Sequence, residues 1–344
     1  MSTPSRGWVR SLQRTLIALA ATAVIFSALI AALGVNPLDA FDAFYQGAFG
    51  NKFNFGQTVM IASLLACTGL AAAIPFSAHL WNVGGEGQLW VGAGGAVTVA
   101  LLLPDGMAGW LAITLAIGGA ALAGAFWGFI PGILKATVNA NEVITSLMLV
   151  FIGIILGNYL IATVFPSSTN ATESVAVDRL LPNIWPGTLV TAGALLAVGA
   201  VLVAVVLMSG SSLGFKIKAV GLNRNTARIS GIRTRRVIVL AFAIGGAFAG
   251  IGGAIAVLGL NRALVSGFSA NFGFLGVAVA LVARLKPAWI IPSALLFAAF
   301  RTGSNGLQAS TGISATVGEV LVTVLVILLL AVGVLRLSYS EANQ

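Results

Sequence analysis

A carboxylate, two amides and three glycines stand together in Asn82-Val83-Gly84-Gly85-Glu86-Gly87-Gln88, with apolar residues on both sides. An ionised Glu in hydrocarbon costs roughly 2.5–3.5 kcal/mol by comparison with similar charges, so Glu86 should face a partner or an aqueous cavity. The glycines let backbone amides turn inward, and such a set can hydrogen-bond a polar solute in a low-dielectric path. The same residues can also form a plain turn between two helices. They lack the Gly-x-x-x-x-Gly-Lys-Ser/Thr spacing of a phosphate-binding loop, and no lysine is near.

A second set, Asn139, Asn141, Glu142, Thr145 and Ser146, opens a long apolar run that carries Asn158 further along. Asn141 can cap a helix there, with Glu142 favourably placed in its positive first turn. The alternative is a polar stripe of Asn141, Thr145 and Ser146 at the mouth of a translocation path. A third set lies in a basic segment. The spacing predicts one short helix over 219–232, bounded by Gly221 and Gly231, with Ala219, Val220, Asn223, Ala227 and Ser230 on a small-residue face and Arg224 and Arg228 on a charged one. It suits docking to a soluble partner, or attachment to anionic lipid head groups. The fourth set is Arg301, Thr302, Ser304, Asn305 and Gln308, with Glu319 opening the last apolar run, where Arg301 and Glu319 could pair.

Catalysis is not indicated. His79 and Cys67 are each alone, so no triad, no Cys-based metal site and no intramolecular disulfide can be assembled. No Walker motif is present, so nothing in the chain can hydrolyse ATP. The chain is therefore expected to have no catalytic residue, no metal and no cofactor of its own.

The elements that position these sets are set by composition. Of 344 residues, 58% are hydrophobic and 8% charged, and the mean hydropathy is +1.03. Each membrane span needs roughly 20 apolar residues, so the chain supplies about ten. The fold expected is an all-α polytopic membrane protein, some of its helices broken. Expected spans are 15–34, 57–77, 86–103, 108–134, 141–165, 187–208, 237–260, 271–283, 287–303 and 318–336. The first is read as an uncleaved helix after a cytoplasmic segment 1–14; a single transmembrane domain fills 15–336, with a cytoplasmic tail at 337–344. Most of the 42 glycines are read as close-packing positions. The short span at 271–283, interrupted by Gly273 and Gly276, and the polar segment 82–88 look like broken helices, tolerated only against protein or a water-filled path.

Charge sets the orientation. Segment 215–236 carries Lys216, Lys218, Arg224, Arg228, Arg233, Arg235 and Arg236 without an acid, whereas 166–186 carries Glu173, Asp178 and only Arg179. The positive-inside rule makes the first cytoplasmic and the second external, with both termini inside. The net charge of +9 therefore reads as orientation signals rather than a nucleic-acid surface.

Five stretches in register carry a resemblance: Gly69-Leu70-Ala71-Ala72-Ala73 leading to 81–93, Asn141 to Leu149, the basic loop, Gly273 to Leu281, and Arg301-Thr302-Gly303 to Gln308. Together they resemble the bacterial binding-protein-dependent permeases of ABC transporters, a family that includes ribose and branched-chain amino-acid permeases, and within it the nucleoside and simple-sugar branch. Ala283, Arg284 and Leu275 depart mildly from the expected pattern.

The resemblance implies the membrane-spanning permease of an ATP-driven importer in a bacterial inner membrane. A second related permease would complete the pathway, and the candidates for its lining or gate in this chain are Asn82, Glu86, Gln88, Asn141, Glu142, Thr145, Asn158 and Phe274. An ATPase, holding ATP and Mg, would dock on a coupling loop 210–236 through Ala219, Gly221, Asn223, Arg224, Ala227, Arg228 and Gly231, and an extracytoplasmic binding protein would deliver the solute. Broken helices around a Glu suit an ion-gradient-driven secondary transporter too, and that is the alternative.

Overall fold

Helix ends in this chain follow local chemistry. The Asn36 side chain accepts from the Leu38 N–H at 3.0 Å and Pro37 occupies the first turn, which starts one helix. Asn139, at φ 53°, stops another in the left-handed conformation, and two residues later Asn141 accepts from the N–H groups of Val143 and Ile144 to start the next.

The computed structural model describes residues 20–21, 23–167, 170–314 and, singly, 316, 320, 323 and 324. Segment 1–14, most of the expected span 318–336, Glu319 and the tail lie outside them. Among the described residues the helices are α1 (Ala23–Ala32), α2 (Pro37–Phe49), α3 (Lys52–Phe76), α4 (Gly85–Leu102), α5 (Gly109–Val138), α6 (Glu142–Tyr159), α7 (Gly193–Gly210), α8 (Ser212–Leu222), α9 (Arg224–Ile229), α10 (Thr234–Ala254), α11 (Phe272–Val282) and α12 (Ile290–Thr311). α6 and α10 each end in a π-helical stretch, Leu160–Val164 and Ile255–Asn261. The chain is an all-α polytopic membrane protein, as expected.

By length and apolarity, α3, α5, α6 and α10 with their π ends, and α7 can each cross a membrane. Two bent pairs, α1 with α2 at 115° and α11 with α12 at 112°, raise the count among the described residues to seven. α4 occupies the expected span 86–103 but stays outside that count, because its first turn carries Glu86 and Gln88.

Three local expectations are corrected. α2 covers residues read as a connection, since Asn36 and Pro37 nucleate a helix there. Gly273 and Gly276 do not interrupt their helix; they lie inside α11, and the break falls at 283–286, where Arg284 and Leu285 take φ 54° and 57°. The basic segment is two helices rather than one, because Asn223 leaves helical geometry (φ −158°, ψ 109°) and caps α9 with its own side chain.

The chain divides into two units, residues 59–296 and residues 1–58 with 297–344. Within the larger, α4, α5 and α10 meet along small residues: Gly92 lies on Gly250, Gly124 on Gly246, and a methyl at Gly124 would come within 2.9 Å of Gly250 Cα. Backbones this close gain dispersion contacts that lipid cannot supply. α3 has 94% of its apolar window buried, against 22% for α6, so α3 is core and α6 presents its apolar side outward. The connection after α6 is sewn to the end of α10 by backbone bonds from Thr172 to Leu264 (2.9 Å), Val175 to Arg262 (2.8 Å) and Leu181 to Leu258 (3.0 Å). In the smaller unit Phe26 and Phe41 pack edge to face at 4.7 Å, and the Thr58 and Thr302 hydroxyls lie 2.7 Å apart.

Candidate functional site

The polar segment found in the sequence becomes a joint between helix ends. Asn82 is buried and saturated: its Nδ2 donates to Ala71 O (3.0 Å) and Gln88 Oε1 (3.1 Å), and its Oδ1 accepts from Gln88 Nε2 (3.2 Å) and the Gly84 N–H (3.1 Å). This ties the end of α3 to the first turn of α4.

Glu86, 2% exposed, reaches across to the start of α11. One oxygen accepts from the Gly273 N–H at 2.7 Å; the other accepts from Trp90 Nε1 at 3.3 Å and from the Ser269 hydroxyl. Trp90 Nε1 also donates to Ser269 Oγ at 3.0 Å. A buried carboxylate is expensive unless donors replace its water. Here three donors do so, and the positive end of α11 adds a favourable field. Asn271, the residue preceding α11, makes no side-chain cap, so Glu86 from another helix supplies that function.

Glycine makes the approach possible. A side chain on Gly273 would collide with the Glu86 backbone, and one on Gly276 would lie 2.6 Å from Thr68 Oγ1. Thr68 Oγ1 in turn donates to Phe272 O at 3.0 Å. The two segments expected to be broken, 82–88 and 271–283, are therefore in direct contact, which neither reveals alone.

The candidates on α6 separate into different surroundings. Asn141 caps the helix, the Thr145 hydroxyl donates to Asn141 O at 3.1 Å, and Glu142 forms a 2.9 Å ion pair with Lys135 across the turn from α5. Asn158 accepts from the Ser266 hydroxyl at 3.1 Å. Phe274 sits half-buried on α11. Ser146 bridges the two groups, its Oγ accepting from the Val83 N–H at 3.3 Å. Ser269 and Lys135 escaped the sequence reading of the site; only a lysine seven residues before Glu142 offered a signal.

In the basic segment Arg224 and Arg228 are exposed, Ala227 is buried and Ala219 half-buried. Asn223 accepts from the Asn225 and Thr226 N–H groups, each at 3.0 Å, and Gly231 takes φ 83°. Gly221 lies against the Ser77 carbonyl. Leu222, just before α9, and Ile229, its last residue, are 86% and 85% exposed. Among the described residues no three of His, Cys, Asp and Glu gather as a metal ion requires.

Residues 54–332 match the family described as the permease component of a branched-chain amino acid transport system. The chain is 32% identical to the nucleoside ABC transporter permease protein of Lactococcus lactis over 90% of its own length and 89% of the relative's. It is 32% identical to the guanosine ABC transporter permease protein of Bacillus subtilis over 86% of each chain. The glucose ABC transporter permease protein of Haloferax volcanii is 31% identical over 94% of this chain and 88% of its own.

Proposed function

The chain belongs to that permease family, and on this premise we propose that it is the membrane-spanning subunit of an ATP-driven importer for nucleosides or related simple sugars. The likeness to a nucleoside permease over about nine-tenths of both chains carries the reading. It also favours ATP coupling over an ion gradient.

The solute passes beside α6 and α11, with a second, related permease completing the wall. The burial and full bonding of Asn82, Glu86 and Gln88 support a role in shaping that wall, while Thr145, Asn158 and Phe274 are less buried and available to a solute. Asn141 and Glu142 hold the mouth of α6 in place. Relatives named as ABC transporter permeases support a separate ATPase, with its ATP and Mg, and a binding protein on the opposite face. The seven basic residues of 215–236 support a cytoplasmic position for that segment and, with an even number of spans, for both chain ends, in a bacterial inner membrane. Arg224, Arg228, Leu222 and Ile229 form the ATPase-facing surface, with Ala219, Asn223, Ala227 and Gly231 shaping it.

Uptake of labelled nucleosides and pentoses by cells making this chain with its partner subunits tests the reading. Nucleoside uptake should require the ATPase and drop at least tenfold in the Arg224→Glu, Arg228→Glu double variant, because the change inverts two docking charges. Uptake that persists without an ATPase and collapses with the ion gradient would transfer the protein to the secondary transporters.

A further inference from the structure

The turn between α3 and α4 touches both the basic segment and the joint. On one side α8 ends against it: a side chain at Gly221 would strike the Ser77 carbonyl, and its first carbon would lie 3.1 Å from Ala78 Cα. On the other side Glu86 holds the Gly273 N–H of α11.

The turn is stiff. The Leu80 N–H returns to Pro75 O at 3.1 Å and the His79 N–H to Phe76 O at 2.9 Å, closing α3 with His79 at φ 52°, a position usually given to glycine. Leu80 is buried beneath it. The segment then continues into Asn82, which is bonded backward to Ala71 O and forward to Gln88. A stretch so densely bonded shifts as one body rather than deforming.

We propose that residues 77–86 form a lever that carries a displacement of α8 to the half-helix α11, with Gly221 at its input and Glu86 at its output. Both act as positioning residues. At the input, backbone meets backbone, so no side-chain rotation can absorb the movement. At the output, a carboxylate holds the start of an 11-residue helix that has no cap of its own, so moving Glu86 either carries α11 or releases it. The same body touches α6 where the Val83 N–H meets Ser146 Oγ, which gives the displacement a second exit beside the proposed pathway. The lever rests on the permease reading above.

Its test uses the full transporter in liposomes and reads nucleoside moved per ATP hydrolysed. Gly221→Ala and Glu86→Ala should each lower that ratio about tenfold, and the double variant should be no lower than the worse single, as for two parts of one device. A double variant lowered by the product of the two effects overturns the lever. Glu86→Gln retains an acceptor for the Gly273 N–H and should recover most of the ratio, whereas equal loss in Gln and Ala would assign Glu86 to its charge instead. Should either variant fail to assemble, hydrogen exchange on the wild-type complex decides: protection of 272–276 should change when ATP binds, and unchanged protection rejects the lever. A wild-type complex without ATP-dependent uptake removes the permease reading itself, and this is seen before any variant is made.

Discussion

At Arg179 a buried guanidinium donates to the carbonyl oxygens of Ala100 (2.8 Å), Leu103 (3.0 Å) and Pro104 (3.1 Å), and also to Asp105 at 3.0 Å. Two interactions compete to explain it: an ion pair with Asp105, or a cap on the carbonyls at and just beyond the end of α4. Asp105 is fully exposed, and exposed ion pairs contribute roughly 0–1 kcal/mol. Removing the guanidinium strips charged donors from three carbonyls, at about 1–3 kcal/mol for a group left unsatisfied. The cap should therefore dominate. Arg179→Met is expected to lower the melting temperature of the purified protein by several degrees, and Asp105→Asn to leave it nearly unchanged. Equal losses would make the ion pair the main contribution. The sequence reading placed Arg179 on the external side through the charge rule, yet a helix end 76–79 residues away from its partner has no signature in either stretch.

The start of α6 brings cap and pathway to the same side chain at the level of the element. Asn141 accepts from two N–H groups, and losing such a cap costs about 1 kcal/mol. Asn141→Ala should destabilise by about that amount, and Asn141→Ser or Asn141→Asp should restore stability. If those two also restore uptake, Asn141 acts by capping; if stability returns without uptake, its amide contacts the solute. The capping role was legible because Asn followed by Glu before an apolar run is a local pattern. The Lys135 partner of Glu142 was less so, since it needs the chain to reverse at Asn139. In the basic segment, helical spacing suggested continuity across Asn223. The side chain of Asn223 bonding its own backbone won instead, as short polar side chains do at helix starts.

Orientation belongs to the whole molecule. Between Asp178 and Glu319 the chain carries cations but no acid, so every charge along that stretch is positive. Val177 is 80% exposed and Ile229 85%, while Cys67 is wholly buried and gives little background. In intact cells a membrane-impermeant maleimide should label Val177→Cys and spare Ile229→Cys until the membrane is opened; the reverse pattern would invert the topology. The sequence by itself determined the class, the runs that became α3, α5, α6, α7 and α10, and the family, because bilayer thickness demands apolar lengths that are visible in one dimension and the motifs are local. Only the tertiary structure decided what Glu86 does. Ser269 and Gly273 lie 183 and 187 residues away, and a carboxylate in lipid announces that it needs donors without saying which backbone will come close enough to supply them.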